Sequence, residues 1–381
     1  MLNYLDRLLL ASVAPLVIHE FHLSNEDYGW LLSGLALAYA LASPLTGMLL
    51  DRLGFSRGGT LAVGAWSACC VSSAATSGFG GLMATRVGLG LAESAGIPAY
   101  AKMNATYLAP GEQAIGLAIS QVGLSLGGVL APVLVYWMLP HYSWRGPFVV
   151  AGAMGFLWIP LWLVVAKAIP APVRGAQAQP FSTGRSWTDR RMLVLAGVNI
   201  LWMGTYVLWS NFTTLFLTHT FHETARTAAT YAWFPPVTAN LGGFFGGWLS
   251  LRWIRSGVDR VEARVRAILV SAVGCLITLA VPLAPGSLAA TVLIGASYFA
   301  AVAGSVNVYA IPLDLFGAAG AATATSMLVA AYGVLQTFLS PVIGRLVDTQ
   351  GFGPVCVLVA LPPLAGWAVL RWTTRGSVPN E

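Results

Sequence analysis

The sequence predicts an all-α membrane protein, with twelve transmembrane helices in two pseudo-symmetric bundles of six. Three observations predict it. Of 381 residues, 57% are hydrophobic and only 9% charged, with mean hydropathy +0.73; a soluble domain carries roughly 25% charged residues. The apolar residues gather in runs near the length of a bilayer crossing, about 20 residues. Part of the chain also repeats at an offset of 200 residues.

The runs lie near 1–19, 28–50, 59–76, 80–107, 114–139 and 145–167. A polar stretch follows, from Pro170 to Arg191, and then six more runs near 192–219, 228–252, 264–283, 287–312, 319–345 and 353–372. This divides the chain into a first six-helix bundle (1–168), a cytoplasmic linker (169–191), a second bundle (192–372) and a cytoplasmic tail (373–381). The first run opens on the polar residues Asn3 to Arg7, leaving Leu8 to Ile18 as its clean apolar part. No basic leader with a small-residue cleavage site precedes it, so a signal peptide does not fit. The expectation is that the chain starts inside its first spanning helix, whose N-terminal part is truncated.

Twenty Lys and Arg residues are distributed unevenly. Fifteen fall after runs 2, 4, 6 and 8 or near the C-terminus, three on the opposite side (Arg145, Arg226, Arg345), and Arg7 and Arg86 lie inside runs. Positive charge marks the cytoplasmic side, so both termini are expected there, in a plasma or bacterial inner membrane. This arrangement accounts for the pI near 9.3 without a nucleic-acid partner. The partners expected are membrane lipid and a small ligand, with the protein a monomer.

In the repeat, His19, Phe21 and His22 recur as His219, Phe221 and His222, and Gly47, Leu49 and Arg52 recur as Gly247, Leu249 and Arg252. A shared register at equivalent helix ends points to duplication, the architecture of transporters built from parallel repeats. The two His-x-x-His pairs have a spacing that fits a metal but sit at helix ends beside solvent, and no metal is expected. Cys69, Cys70, Cys275 and Cys356 lack CxxC spacing and read as small buried thiols.

Asp6 and Arg7 in the first run and Arg86 and Glu93 in the fourth are charged residues placed inside spans rather than at their ends. An ionised side chain at the bilayer centre costs roughly 2.5–3.5 kcal/mol on insertion scales, so each needs a reason. Arg86 and Glu93, seven apart, share a helix face, whereas Asp6 and Arg7 diverge by about 100° and need different partners. Two salt bridges locking helices together would be a structural use. Buried ion pairs stabilise weakly, however, and a guanidinium fork matches a carboxylate through two bonds. An anion that takes an arginine from Glu93 would leave this carboxylate without its counter-charge, and it would take up a proton. Gln121, Asn211, Asn240, Ser305, Asn307, Tyr332 and Gln336 are polar groups that line a cavity or bond between helices, and Gln121 and Asn307 are placed with the substrate site.

Several stretches carry a family resemblance. Gly47-Met48-Leu49-Leu50-Asp51-Arg52-Leu53-Gly54-Phe55-Ser56-Arg57 resembles the loop signature of the major facilitator superfamily. The second half has Leu251 where the signature is acidic. Asn3 to Arg7, Arg86 to Ala99, Ser125 to Pro132 with Trp144-Arg145, Trp233 to Pro235 with Gly246 to Ser250, and Ser305 to Phe316 are similar to motifs of its anion:cation symporter branch. That branch includes hexuronate and galactonate transporters and the vesicular glutamate and sialic acid transporters. The resemblance implies that Arg7 binds a substrate carboxylate with Tyr4 and Arg86 nearby, and that Asp6 and Glu93 couple protons. It also implies that Gly47, Asp51, Arg52 and Arg57 form a conformational latch. The expected function is proton-coupled symport of a small organic anion, a sugar acid such as a hexuronate or aldonate, by alternating access, with no cofactor besides the proton. An exporter or exchanger of monocarboxylates or drugs is the alternative. Two departures bear on it: Ala300 to Gly304 is apolar where sugar-acid members carry His, Gln or Trp, and Thr213 to Phe216 replaces a Pro-Lys-Tyr-like helix end.

Overall fold

The computed structural model describes residues 1–97, 99, 100, 103, 108, 113–168 and 189–375. The linker expected at 169–191 and the tail at 373–381 lie mostly outside them, as do the side chains of Asp51 and Gln121. All regular structure among the described residues is helical. Among the described residues six stretches are long and apolar enough to cross a membrane: Arg145–Ala168, Arg190–Phe221, Arg260–Leu283, Ser287–Leu315, Thr325–Gln350 and Phe352–Thr373.

Helix α1 (Leu2–Phe21) takes in the polar residues Asn3 to Arg7 without a break. Helix α2 (Asn25–Ala74) carries two of the expected spans and bends at Gly54, whose φ of 76° suits a residue without a Cβ. Helices α3 (Phe79–Glu93), α4 (Gln113–Met138) and α5 (Arg145–Ala168) follow. The run at 192–219 is two helices, α6 (Arg190–Trp202) and α7 (Gly204–Phe221), meeting at Met203. The next run divides into α8 (Ala225–Ala232) and α9 (Phe234–Arg255), at the point where Pro235 and Pro236 remove backbone donors. Helix α10 (Arg260–Cys275) continues as a 3-10 segment, Leu276–Leu283. Helix α11 (Ser287–Gln350) contains two expected spans, and α12 (Phe352–Ala360) gives way to α13 (Pro362–Arg375) at another proline pair.

The repeat read in the sequence reappears as backbone geometry. Helix α1 ends on His22 with φ 52°, and α7 ends on His222 with φ 56°, both left-handed caps. The next helix is then capped by Ser24 in one copy and Thr224 in the other, each hydroxyl accepting a backbone N–H three residues on.

The chain divides into two compact units, Met1–Pro180 with Thr224–Trp233, and Phe181–Glu223 with Phe234–Glu381. Small residues set helix spacing in each. In the first, a Cβ on Gly90 would strike the Leu35 carbonyl of α2, and one on Gly127 would strike the Met1 carbonyl of α1. In the second, Gly242 and Gly246 of α9 lie against the backbone of Phe299 and Ala303 in α11. Lipid tails offer helices no hydrophobic drive to associate, so such close backbone approach is a main source of their cohesion.

At one end of the first unit a polar clamp joins three helices. Glu20 lies just beyond the first apolar run and accepts the Trp144 Nε1–H at 2.5 Å and Arg145 Nη1 at 2.7 Å; Arg145 Nη2 also donates to the Thr76 carbonyl at 3.1 Å. The indole N–H above all, with Arg145 adding to it, holds the Glu20 carboxyl below its ordinary range against the opposing effect of burial. A depressed carboxyl adds stability that is present above its unfolded value and lost as pH falls through the folded one. Glu20→Gln should therefore lower the Tm in detergent by roughly 1–3 °C at pH 7, as expected for a half-exposed pair. As pH falls through the depressed folded value the gap should close and the two proteins should come to melt together. A gap that stays constant across that window would show the carboxylate charge contributes nothing.

Candidate functional site

Four ionisable side chains gather inside the first unit, on two helices. Asp6 and Arg7 come from α1, Arg86 and Glu93 from α3, and the glycine contacts of α3 with α2 and of α4 with α1 hold them at fixed depth. The 100° divergence of Asp6 and Arg7 sends them to different partners, as their adjacency requires.

Arg7 pairs with Glu93. Its Nε lies 3.3 Å and its Nη2 3.2 Å from Glu93 Oε2. The pair is asymmetric in a way that matters chemically: the Glu93 side chain is 0% exposed, while that of Arg7 is 20% exposed. Both bonds from Arg7 go to one carboxylate oxygen, and Oε1 has no hydrogen-bond partner. Asn3 Nδ2 fixes the helix at this point by donating to the Glu93 backbone carbonyl at 3.4 Å. The Arg7 guanidinium sits 4.7 Å from the Tyr39 ring centroid and 5.9 Å from that of Tyr4. Aromatic faces favour a cation there, so the rings help to hold the guanidinium beside Glu93.

Asp6 and Arg86 are both 1% exposed. They do not form the second ion pair that would lock the two helices. Arg86 Nη2 reaches Ser73 Oγ at 3.5 Å, and its Nε and Nη1 have no hydrogen-bond partner. Its guanidinium lies 5.4 Å from the Phe148 ring. Asp6 Oδ1 instead accepts the Cys70 thiol at 3.4 Å, and the same sulfur lies 3.4 Å from the Phe148 carbonyl. Arg86 therefore stands deeper than Arg7 and is shut off from solvent, so of the two guanidiniums Arg7 is the one a ligand can reach.

The other candidates fall elsewhere. Asn307, in the second unit, is fully buried and donates both amide hydrogens to backbone carbonyls, those of Gly246 and Ala303, each at 3.0 Å. It staples α9 to α11 where Gly246 leaves its carbonyl uncovered. Gln121 lies on α4, its side chain outside the described residues. Asn211 and Asn240 each donate to a carbonyl one turn back in their own helix. Of the latch residues, Arg52 and Arg57 are exposed beside the Gly54 bend, and a Cβ on Gly47 would meet no atom within 4 Å. Spacing in the sequence does not single out Tyr39, Ser73 or Phe148. Cys70 reads there as a small buried thiol, and here it is also a donor to Asp6. Among the described residues no group of three His, Cys, Asp or Glu side chains is placed to hold a metal, and all four cysteines are free thiols.

The chain is 28% identical to the hexuronate transporter of Escherichia coli K12 over 403 aligned positions, covering 99% of this chain and 92% of that protein. It is 28% identical to the galacturonate transporter of Dickeya chrysanthemi, covering 66% of this chain and 78% of that one. The bacterial homologue of the human lysosomal transporter Spinster, crystallised inward-facing and occupied, shares the fold with a TM-score of 0.71 at 21% identity, covering 98% of this chain and 92% of that one. The sequence profile of the Major Facilitator Superfamily matches residues 1–326. The chain belongs to the Major Facilitator Superfamily, and it is an integral membrane transporter rather than an enzyme.

Proposed function

We propose that this protein is a proton-coupled symporter of a small organic anion, a sugar acid of the hexuronate or aldonate kind, working by alternating access. The observation that carries this reading is the Arg7–Glu93 pair, with a partly open guanidinium on one side and a fully buried carboxylate on the other. A substrate carboxylate that docks on Arg7 withdraws the cation from Glu93. Glu93 then faces a low-dielectric surrounding with no compensating charge, and a proton restores neutrality. Anion and proton load together. Asp6, held by the Cys70 thiol beside Arg86, is the second carboxylate in this scheme, and Tyr4 and Gln121 are the further residues proposed for the substrate site in the first unit. The sugar-acid class draws on the names of the relatives.

The same reading includes twelve spans in two six-helix bundles, supported by the twelve apolar runs and the matched left-handed caps at His22 and His222. The Lys and Arg bias supports both termini in the cytoplasm. The latch role of Gly47, Asp51, Arg52 and Arg57 rests on the loop signature, and the acting unit is a monomer in a plasma or bacterial inner membrane.

The test is flux in proteoliposomes with and without an inward-acid pH gradient, using a panel of uronates, aldonates and simple carboxylates. The expected result is accumulation of a hydroxylated acid that collapses when a protonophore is added. Uptake indifferent to the gradient would point to an exchanger or exporter instead.

A further inference from the structure

The second unit contains a cavity of about 450 Å³ between α9, α10 and the first apolar stretch of α11. Small residues such as Gly274 and Ala300 hollow it, and the rings of Phe245 and Phe299 wall it. Val270 and Val292 line it while remaining 47% and 51% exposed, so it opens to the outside of the unit. Its two hydroxyl side chains are both engaged. Thr238 Oγ1 lies 2.9 Å from the carbonyls of Pro235 and Gly295, and Ser271 donates to the Ala267 carbonyl at 2.8 Å. The lining keeps no hydroxyl donor to spare, which suits a hydrocarbon occupant and not a hydroxylated solute.

One wall of the cavity leads to positive charge. The Phe299 ring centroid lies 5.3 Å from that of Phe245, Phe245 lies 5.8 Å from Trp248, and the Arg252 guanidinium lies 5.7 Å from the Trp248 ring. Trp248 is 52% exposed, an amphipathic ring of the kind that sits at membrane–water boundaries. On α10, Val270 is one turn from the exposed Arg266 on the same face. The acidic groups at this end are already taken: Glu262 holds Arg266 and Arg371, Asp314 holds Arg264, and Asp259 caps α10. Arg252, Arg255 and Arg260 are exposed and make no ion pair among the described residues.

We propose that this end of the second unit binds an anionic phospholipid, with one acyl chain in the cavity and the phosphate against Arg252, Arg255 and Arg260. The cavity lies on segments that span the membrane, Arg260–Leu283 and Ser287–Leu315, so its occupant comes from the bilayer. Half the hydrocarbon thickness is about 15 Å, the rise of about ten helical residues. A chain whose head group stands at Arg252 therefore runs past Phe245 to the level of Gly242, inside the cavity. An empty cavity forfeits the dispersion contacts of its lining, and a chain restores them. Unpaired arginines at a membrane surface attract a net negative head group, whereas the ammonium of a zwitterionic lipid offsets its own phosphate.

The test titrates dioleoyl phosphatidylglycerol, dioleoyl phosphatidylcholine and glycerol phosphate into the purified protein in detergent, with bound ligand counted by native mass spectrometry. Phosphatidylglycerol should bind roughly tenfold or more tighter than phosphatidylcholine, and glycerol phosphate should not bind measurably. Arg252→Gln with Arg260→Gln should weaken phosphatidylglycerol about 25-fold, about fivefold for each charge, and leave phosphatidylcholine unchanged. Val270→Trp fills the cavity from an exposed position and should weaken phosphatidylglycerol several-fold with all arginines in place. Val292→Trp does the same from the other exposed lining residue, should Val270→Trp lower the lipid-free Tm. Equal binding of the two lipids, or glycerol phosphate binding as well as phosphatidylglycerol, would overturn the proposal. So would tryptophan variants that bind phosphatidylglycerol as the wild type does, since the arginines would then attract lipid without a chain in the cavity.

Discussion

Arg7→Ala should abolish gradient-driven uptake, and Arg7→Lys should leave only a small remainder. The magnitude follows from what the guanidinium supplies. Charge-assisted hydrogen bonds contribute about 1.5–3 kcal/mol each, and a bidentate carboxylate makes two, so deleting the fork removes roughly 3–5 kcal/mol of binding. At about 1.4 kcal/mol per factor of ten this is roughly a 100- to 4,000-fold loss in apparent affinity. Lysine keeps the charge as a flexible point and loses the planar fork as well as its stacking over Tyr39 and Tyr4, and a fall of about 10- to 50-fold is expected. Folding is a separate matter, because Arg7→Ala strands a fully buried Glu93 beside nothing that balances it. The double variant Arg7→Ala with Glu93→Gln removes both charges and should regain the Tm of the wild type while still failing to transport. Uptake by Arg7→Ala within a factor of three of wild type, in protein that melts normally, would remove Arg7 from the substrate site.

How much of this was legible beforehand depends on whether a feature is local in sequence. The helical membrane class was legible, since hydropathy is written along the chain, and so was the recurrence of His22 as His222, though not the left-handed backbone that both residues adopt. The helix breaks at Met203, Trp233 and Leu361 were not, because a single apolar run reads the same whether one helix or two consecutive ones fill it. At the site, the four ionisable residues announced themselves by their cost in lipid, but their pairing did not. Helical spacing put Arg86 and Glu93 on one face, and only the folded structure decides that Arg7 takes Glu93. Arg86, an obvious partner for Asp6 by charge alone, instead lies over Phe148 and against Ser73. Cys70 shows the limit most clearly: a thiol among apolar neighbours has no sequence signature that distinguishes filler from a donor to a carboxylate. Asn307 shows the converse, since a polar residue in a span looks like a ligand contact until its two donors are found on the Gly246 and Ala303 carbonyls.

Glu93→Gln should separate coupling from carriage. Glutamine keeps the shape and one hydrogen-bond acceptor toward Arg7, and it cannot take up a proton. In the wild type the empty site is neutral because Arg7 and Glu93 pair; the loaded site is neutral because the substrate pairs with Arg7 and Glu93 carries the proton. In the variant the loaded site is still neutral, so substrate bound on one face can cross and exchange for substrate on the other. The empty site now holds an unbalanced guanidinium, and returning it across the membrane carries the cost of an unpaired intramembrane charge, roughly 2.5–3.5 kcal/mol or a 70- to 400-fold slowing. Net uptake against a gradient should therefore disappear, and counterflow exchange should persist at a rate within a few fold of wild type. Because Glu93 no longer competes for Arg7, substrate should bind the variant more tightly, and exchange should lose its dependence on pH over the range in which wild-type uptake varies. Measuring counterflow and gradient-driven accumulation on the same proteoliposome preparation decides it. Accumulation that survives in Glu93→Gln would move the proton to Asp6 alone, and exchange that fails together with accumulation would show Glu93 to be a structural partner of Arg7 rather than a carrier of the proton.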